Sequence, residues 1–207
     1  MINKYLIFLS IFFIIGCSGD FSKNTFYNFK KLKEKNIVMQ RFDYSCGTGA
    51  LATLLKYYYN DSVDEIELLN DIQKHLPESV FENRQKYGFS MLDLQELSER
   101  RGYQAIGAKL NYSSLLKLDR PVLVYLESKN YKHFAIYKGF REDRIFLADP
   151  NRGNIRMTTD SFFQEWKNRT ALILFKDDYK ILKSPLHIDF ELPLRPEIFA
   201  IKKEIFQ

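Results

Sequence analysis

Gln40-Arg41-Phe42-Asp43-Tyr44-Ser45-Cys46-Gly47-Thr48-Gly49-Ala50-Leu51-Ala52-Thr53-Leu54-Leu55-Lys56-Tyr57-Tyr58-Tyr59 is the stretch that decides how the rest of the chain reads. A polar loop gives way at Cys46 to an apolar run that predicts a helix over residues 46–59. A thiol is a useful nucleophile only as thiolate, and a helix N-terminus, with unpaired N–H groups and the positive end of the macrodipole, favours negative charge. A base is then needed to take the proton, and an acid to orient the base. His133, near the start of a predicted strand, and Asp149, at the end of the next, follow Cys46 in that order. His75 lies late in a polar helix and His187 in the tail, so His133 is the expected base.

Working outward, residues 36–39 read as a short strand entering the loop. Ser62 is placed to cap a helix over residues 63–75, where Val63, Ile66, Leu69 and Ile72 recur at intervals of three and Pro77 stops the run. Ser90 and Asp93 have capping-box spacing for a helix carrying Leu92, Leu94 and Leu97 and ending at Arg101, with Gly102 as left-handed terminator. Residues 103–110 read as extended, 112–118 as a short helix and 119–121 as a turn. Beyond Pro121, β-branched and aromatic residues predict strands over 122–127, 133–140, 144–148, 154–157 and 170–176. Residues 139–143 suit a hairpin loop and 149–153 a turn. Thr159 is expected to cap a helix whose Phe162, Phe163 and Trp166 form a core-packing stripe. The expected fold class is α+β, an N-terminal helical layer with the nucleophile helix packed on a C-terminal antiparallel sheet.

At the N-terminus, Lys4 precedes the nearly unbroken apolar run Tyr5 to Ile15, and Ile14-Ile15-Gly16-Cys17 has the form of a lipobox followed by polar Ser18-Gly19-Asp20. A membrane helix needs roughly 20 apolar residues, so this run reads as an export signal with Cys17 as the lipid-attachment residue. The expected division is a lipoprotein-type signal peptide over 1–16, a linker over 17–35, the catalytic domain over 36–176 and a C-terminal extension over 177–207 broken by Pro185, Pro193 and Pro196. With Cys17 lipidated, Cys46 is the sole free thiol and no intrachain disulfide can form. The lysine run within residues 30–35 reads as a solvated linker. The expected location is the cell envelope or periplasm, with the membrane reached through the N-terminal lipid.

The 207 residues carry a net charge of +5, with 45% hydrophobic and 15% aromatic residues, ample for one core. The charges alternate in sign and no basic helix face stands out, which argues against nucleic acid. No CxxC or HExxH spacing and no phosphate loop occurs, so neither metal nor cofactor is expected.

Three blocks together carry a family resemblance: Gln40 to Gly47, His133-Phe134-Ala135-Ile136-Tyr137-Lys138-Gly139, and Ile145-Phe146-Leu147-Ala148-Asp149-Pro150. In these, residues from about 36 to 175 resemble the double-glycine-leader cysteine peptidases, the papain-like bacteriocin-processing domain at the front of certain ABC exporters. The export leader sets this chain apart from those cytosolic versions and makes it more similar to stand-alone exported members, such as the peptidase encoded with functional-amyloid secretion systems. The resemblance implies Cys46 as nucleophile, His133 as base and acid, Asp149 as its orienting group and Gln40 as oxyanion donor. Asn151 stays open as an alternative to Asp149, because papain-like enzymes use either residue type. Gly47 and Gly49 are expected to keep the helix start open. The implied reaction is hydrolysis after a Gly-Gly pair in leader or secreted peptides, with an apolar groove gripping the leader and Tyr57, Tyr58 or Phe89 as candidates to line it. Secretion-system components are the implied partners. A transglutaminase-like acyl transferase of related fold, which uses the same residue types, and a non-catalytic peptide-binding or assembly lipoprotein are the alternative readings.

Overall fold

A computed structural model describes residues 30–128, 131–177 and 184–188. The expected signal peptide, the expected lipid-attachment residue Cys17 and most of the expected linker and C-terminal extension lie outside the described residues.

Helix α1, Cys46–Tyr58, is buried from Cys46 through Leu55 on every side, which is why its sequence is apolar all round rather than striped. Helix α2, Glu65–His75, starts later than expected, because Asp64 and not Ser62 is the cap, accepting the Glu67 N–H at 2.9 Å. Pro77 ends α2 as expected, but it also opens a further helix, α3, Glu78–Tyr87. Only Phe81 of α3 is buried, so no periodic apolar signal marks it in the sequence. Helix α4, Met91–Arg100, has the predicted capping box, Ser90 Oγ accepting from Asp93 N and the Asp93 carboxylate from Ser90 N, and Gly102 follows with φ +82°.

The elements that follow α4 among the described residues are β1 (Gln104–Lys109), α5 (Tyr112–Leu116), β2 (Val122–Ser128), β3 (Tyr131–Arg141), β4 (Arg144–Asp149), β5 (Gly153–Thr158), α6 (Thr159–Glu165) and β6 (Thr170–Phe175). The six strands form one antiparallel sheet in the order β1-β6-β2-β3-β4-β5. Thr158 rather than Thr159 caps α6, its hydroxyl accepting the Ser161 N–H. Residues 37–40 join no ladder and Asn36 lies in a turn with φ +60°, so the strand expected over 36–39 does not form; Val38 N donates instead to Thr53 Oγ1 and Gln40 N to the Pro150 carbonyl.

The central strands are apolar at consecutive positions because both faces of the sheet are covered. Leu123, Phe134, Ile136, Leu172 and Leu174 pack toward α1, α2 and α4. Their neighbours Val122, Val124, Ala135, Tyr137 and Ala171 pack with Phe162 and Trp166 of the α6 segment on the other face.

Candidate active site

Three elements meet at one end of the sheet. Cys46 stands at the first turn of α1, His133 on β3, and Asp149 at the end of β4. In the β3–β4 ladder Ile136 faces Ala148, so one step further Asp149 faces Ala135, and His133 lies diagonally across, within side-chain reach. His133 Nε2 lies 2.8 Å from Asp149 Oδ1, and the ring also hydrogen-bonds the Cys46 side chain. With Nε2 turned to the carboxylate, Nδ1 is the nitrogen left for sulfur. All three side chains are buried, Asp149 completely.

Burial pulls the imidazole toward neutrality, but the hydrogen bonds to Asp149 and Cys46 and the charges of both outweigh it and raise the His133 pKa above its ordinary value. Burial likewise pushes the Asp149 carboxyl upward, and His133 together with Arg152 reverses this, bringing it down to about 2. Asp149 Oδ1 accepts the backbone N–H groups of Asn151 at 2.8 Å and Arg152 at 2.9 Å, and Oδ2 the Arg152 Nε–H at 2.7 Å. The Asn151 side chain is exposed, so of the two candidates left open by sequence it is Asp149 that faces the ring. His75 bonds the Asp71 carbonyl within α2, and His187 packs edge-on against Tyr58, both apart from this cluster.

Gln40 precedes the cluster in the loop, its side-chain amide donating to the Phe42 carbonyl at 3.0 Å. The two glycines act differently from expectation. A Cβ on Gly49 would come within 2.9 Å of Pro150 Cβ, and one on Gly47 within 3.0 Å of Leu94 Cδ1 and 3.3 Å of Phe134. Their role is close approach: Gly49 lets the Asp149–Pro150 turn lie against α1, and Gly47 seats α1 on α4 and β3. Beside Cys46 opens a cleft of about 190 Å³ lined by Tyr44, Phe89, Tyr125 and Phe134 and walled by residues 85–88 at the end of α3. Phe89 therefore does reach the cleft, whereas Tyr57 and Tyr58 sit at the far end of α1.

The family model for the Peptidase C39 family matches residues 34–178. The chain belongs to the Peptidase C39 family. As a C39 chain it is 34% identical over 139 residues to a probable functional amyloid protease, FapD, of Pseudomonas fluorescens, a match covering 67% of this chain and 60% of that relative. Two solved structures share the C39 fold: the peptidase domain of Streptococcus ComA, a bi-functional ABC transporter (TM-score 0.56, 20% identity, 68% of this chain and 98% of that one), and a double glycine motif protease from an AMS/PCAT transporter in complex with its leader peptide (TM-score 0.53, 21% identity, 67% and 89%). The α+β architecture of helices on an antiparallel sheet is thus the papain-like C39 fold.

Sequence reading of the C39 domain left two groups at the site unassigned. Arg152, which holds the outer carboxylate oxygen of Asp149, lies in a turn expected only as a turn; an Asp at the head of such a turn commonly receives the N–H groups that follow it, and that is the signal that places Arg152 beside Asp149. Glu65, buried behind the Gln40–Cys46 loop, looks in sequence like an ordinary acid in the first turn of a helix.

Proposed function

We propose that this chain is an exported, lipid-anchored cysteine endopeptidase that cleaves leader or secreted peptides after a Gly-Gly pair. The observation that carries the proteolytic reading is the buried Asp149–His133–Cys46 relay at a helix N-terminus beside an open cleft. Cys46 gives its proton to His133, and the sulfur attacks the scissile carbonyl carbon. The tetrahedral oxyanion accepts from the Cys46 backbone N–H and from Gln40, whose amide nitrogen carries two protons and spends one on Phe42. His133 then protonates the leaving amine as the C–N bond breaks, leaving a thioester. Water, deprotonated by His133, hydrolyses the thioester, and the proton returns to sulfur. Asp149 holds the ring in orientation and offsets its charge throughout.

The Gly-Gly assignment is supported by the description of the AMS/PCAT relative as a double glycine motif protease, and a role beside a secretion system by the FapD relative's description as a functional amyloid protease. The lipid anchor rests on the Ile14-Ile15-Gly16-Cys17 pattern. In the test, the mature chain is incubated with a Gly-Gly reporter peptide and a primary amine. Mass spectrometry should find hydrolysed fragments ending in Gly-Gly and no amide adduct, with cleavage abolished in Cys46→Ala. Undiminished cleavage by Cys46→Ala would end the proposal, and amine adducts would redirect it to acyl transfer. Cys17→Ala should move the protein from the membrane to the soluble fraction.

A further inference from the structure

Glu65 is 1% exposed, opens α2, and faces the loop that joins Gln40 to Cys46. Both of its carboxyl oxygens accept the Arg41 backbone N–H, at 3.0 and 3.1 Å, and Oε1 also accepts the Ser45 hydroxyl. Ser45 Oγ in turn receives Phe42 N–H at 3.2 Å, and the Phe42 carbonyl receives the Gln40 side-chain amide at 3.0 Å. The Arg41 guanidinium stands 4.0 Å from Glu65 and is largely exposed, so the main polar commitments of this buried group are to the loop itself. One carboxyl group from another helix thus gathers the residue after Gln40 and the residue before Cys46.

We propose that Glu65 is a positioning residue that sets the Gln40 amide relative to Cys46 by folding the intervening loop around its carboxyl group. The inference rests on the peptidase reading and adds a residue outside the motif loop on which the oxyanion site depends. Buried groups that receive backbone N–H donors hold loops in one geometry, and misplacement of about 1 Å at a reacting centre can cost on the order of 10²-fold in rate. The Cys46–His133 pair does not depend on this loop in the same way, since α1 and β3 fix it through the core.

The experiment compares Glu65→Ala and Glu65→Gln with wild type in the mature chain by Gly-Gly peptide cleavage, binding of a Gly-Gly peptide aldehyde, iodoacetamide labelling of Cys46, and amide exchange at Arg41. The aldehyde adduct needs the oxyanion donors, whereas alkylation needs only the thiol and His133. Glu65→Ala should lower kcat by about 10²-fold and weaken aldehyde binding in proportion, with labelling within roughly twofold of wild type and faster exchange at Arg41. Glu65→Gln keeps the Oε1 acceptor for both Arg41 N–H and Ser45 and should restore most of the rate. Unchanged kcat and aldehyde affinity in a folded Glu65→Ala overturn the proposal, as does loss of labelling in step with cleavage, which would mean general damage. If Glu65→Ala does not fold, Ser45→Ala carries the test with the same pattern expected, and a wild-type profile there overturns the proposal. Failure of the parent reading looks different: a wild-type chain that neither cleaves nor labels, whatever the exchange at Arg41.

Discussion

At Asp149 the burial of a carboxylate is offset by four donors: His133, two backbone N–H groups and Arg152 Nε. This makes Asp149 a fixed negative point against which the imidazolium is stabilised. In Asp149→Asn the ring loses the charge that raises its pKa, so the alkaline limb of the pH profile of kcat/KM should move to lower pH. An unmoved limb would mean that Asp149 does not govern the ring. Gln40→Ala should cost about 2.7–4 kcal/mol of transition-state stabilisation while leaving iodoacetamide labelling intact, as expected for an oxyanion donor and unlike a residue of the thiol–imidazole pair. At this scale the sequence was largely legible: Cys46, His133 and Asp149 are brought together as their types and order implied, and the choice between Asp149 and Asn151 fell to the direction of a turn. Glu65 was illegible, because nothing in its neighbourhood along the chain distinguishes a solvated first-turn acid from one facing a distant loop.

Among the elements, α1 is the one around which the others are arranged, and its glycines mark where they touch it. Gly49→Ala would drive a methyl into Pro150 at 2.9 Å, and overpacking of this kind costs about 1–3 kcal/mol. Because the residue displaced adjoins Asp149, the expected result is a fall in kcat larger than in variants of equal stability loss elsewhere; a melting shift with unchanged kcat would refute it. Helix α3 is held differently. With one buried apolar residue, it relies on the Arg84–Asp93 ion pair at 2.6 Å to fix its C-terminal end against α4, and that end walls the cleft. Arg84→Ala should therefore raise KM for peptide severalfold with little change in kcat, measured by steady-state cleavage. Capping boxes and glycine stops were readable in advance for α4 because their chemistry is local. Helix α3 was not, since a surface helix tied down by one ring and one ion pair has no periodic signature.

For the whole molecule, the C-terminal segment 184–188 closes over α1: Ser184 Oγ donates to the Tyr57 carbonyl at 2.9 Å, Leu186 is 1% exposed within the helical core, and Ile188 lies over Gly139. This extension could not be placed in advance, because its prolines argue against regular elements without saying whether the chain between them docks. Leu186→Ala should destabilise the fold by about 2–5 kcal/mol, read from denaturant midpoints, whereas an exposed position such as Leu92 should tolerate alanine. Stability should also follow the paired site. Asp149, held near 2 against an ordinary 3.8, contributes above pH ~4 a term on the order of 2 kcal/mol that disappears as the pH falls toward 2. His133, held above its ordinary value, contributes fully in acid and loses its share as the pH rises through its folded pKa. Asp149→Asn should flatten the acid side of a stability–pH curve; retention of the full acid dependence would assign it to other carboxyls. By itself the sequence determined the α+β order, the buried helix behind Cys46, the strands beyond Pro121 and which side chains are candidates for the chemistry, since apolar period, turn chemistry and side-chain type are properties of neighbouring residues. Only the tertiary structure decided that residues 37–40 stay out of the sheet to meet Thr53 and Pro150, that Gly49 serves contact with a distant turn, and that the Glu65 carboxylate receives Arg41 and Ser45 of the loop before Cys46. Those are relations between surfaces far apart along the chain, and they exist only once the core has brought them within reach.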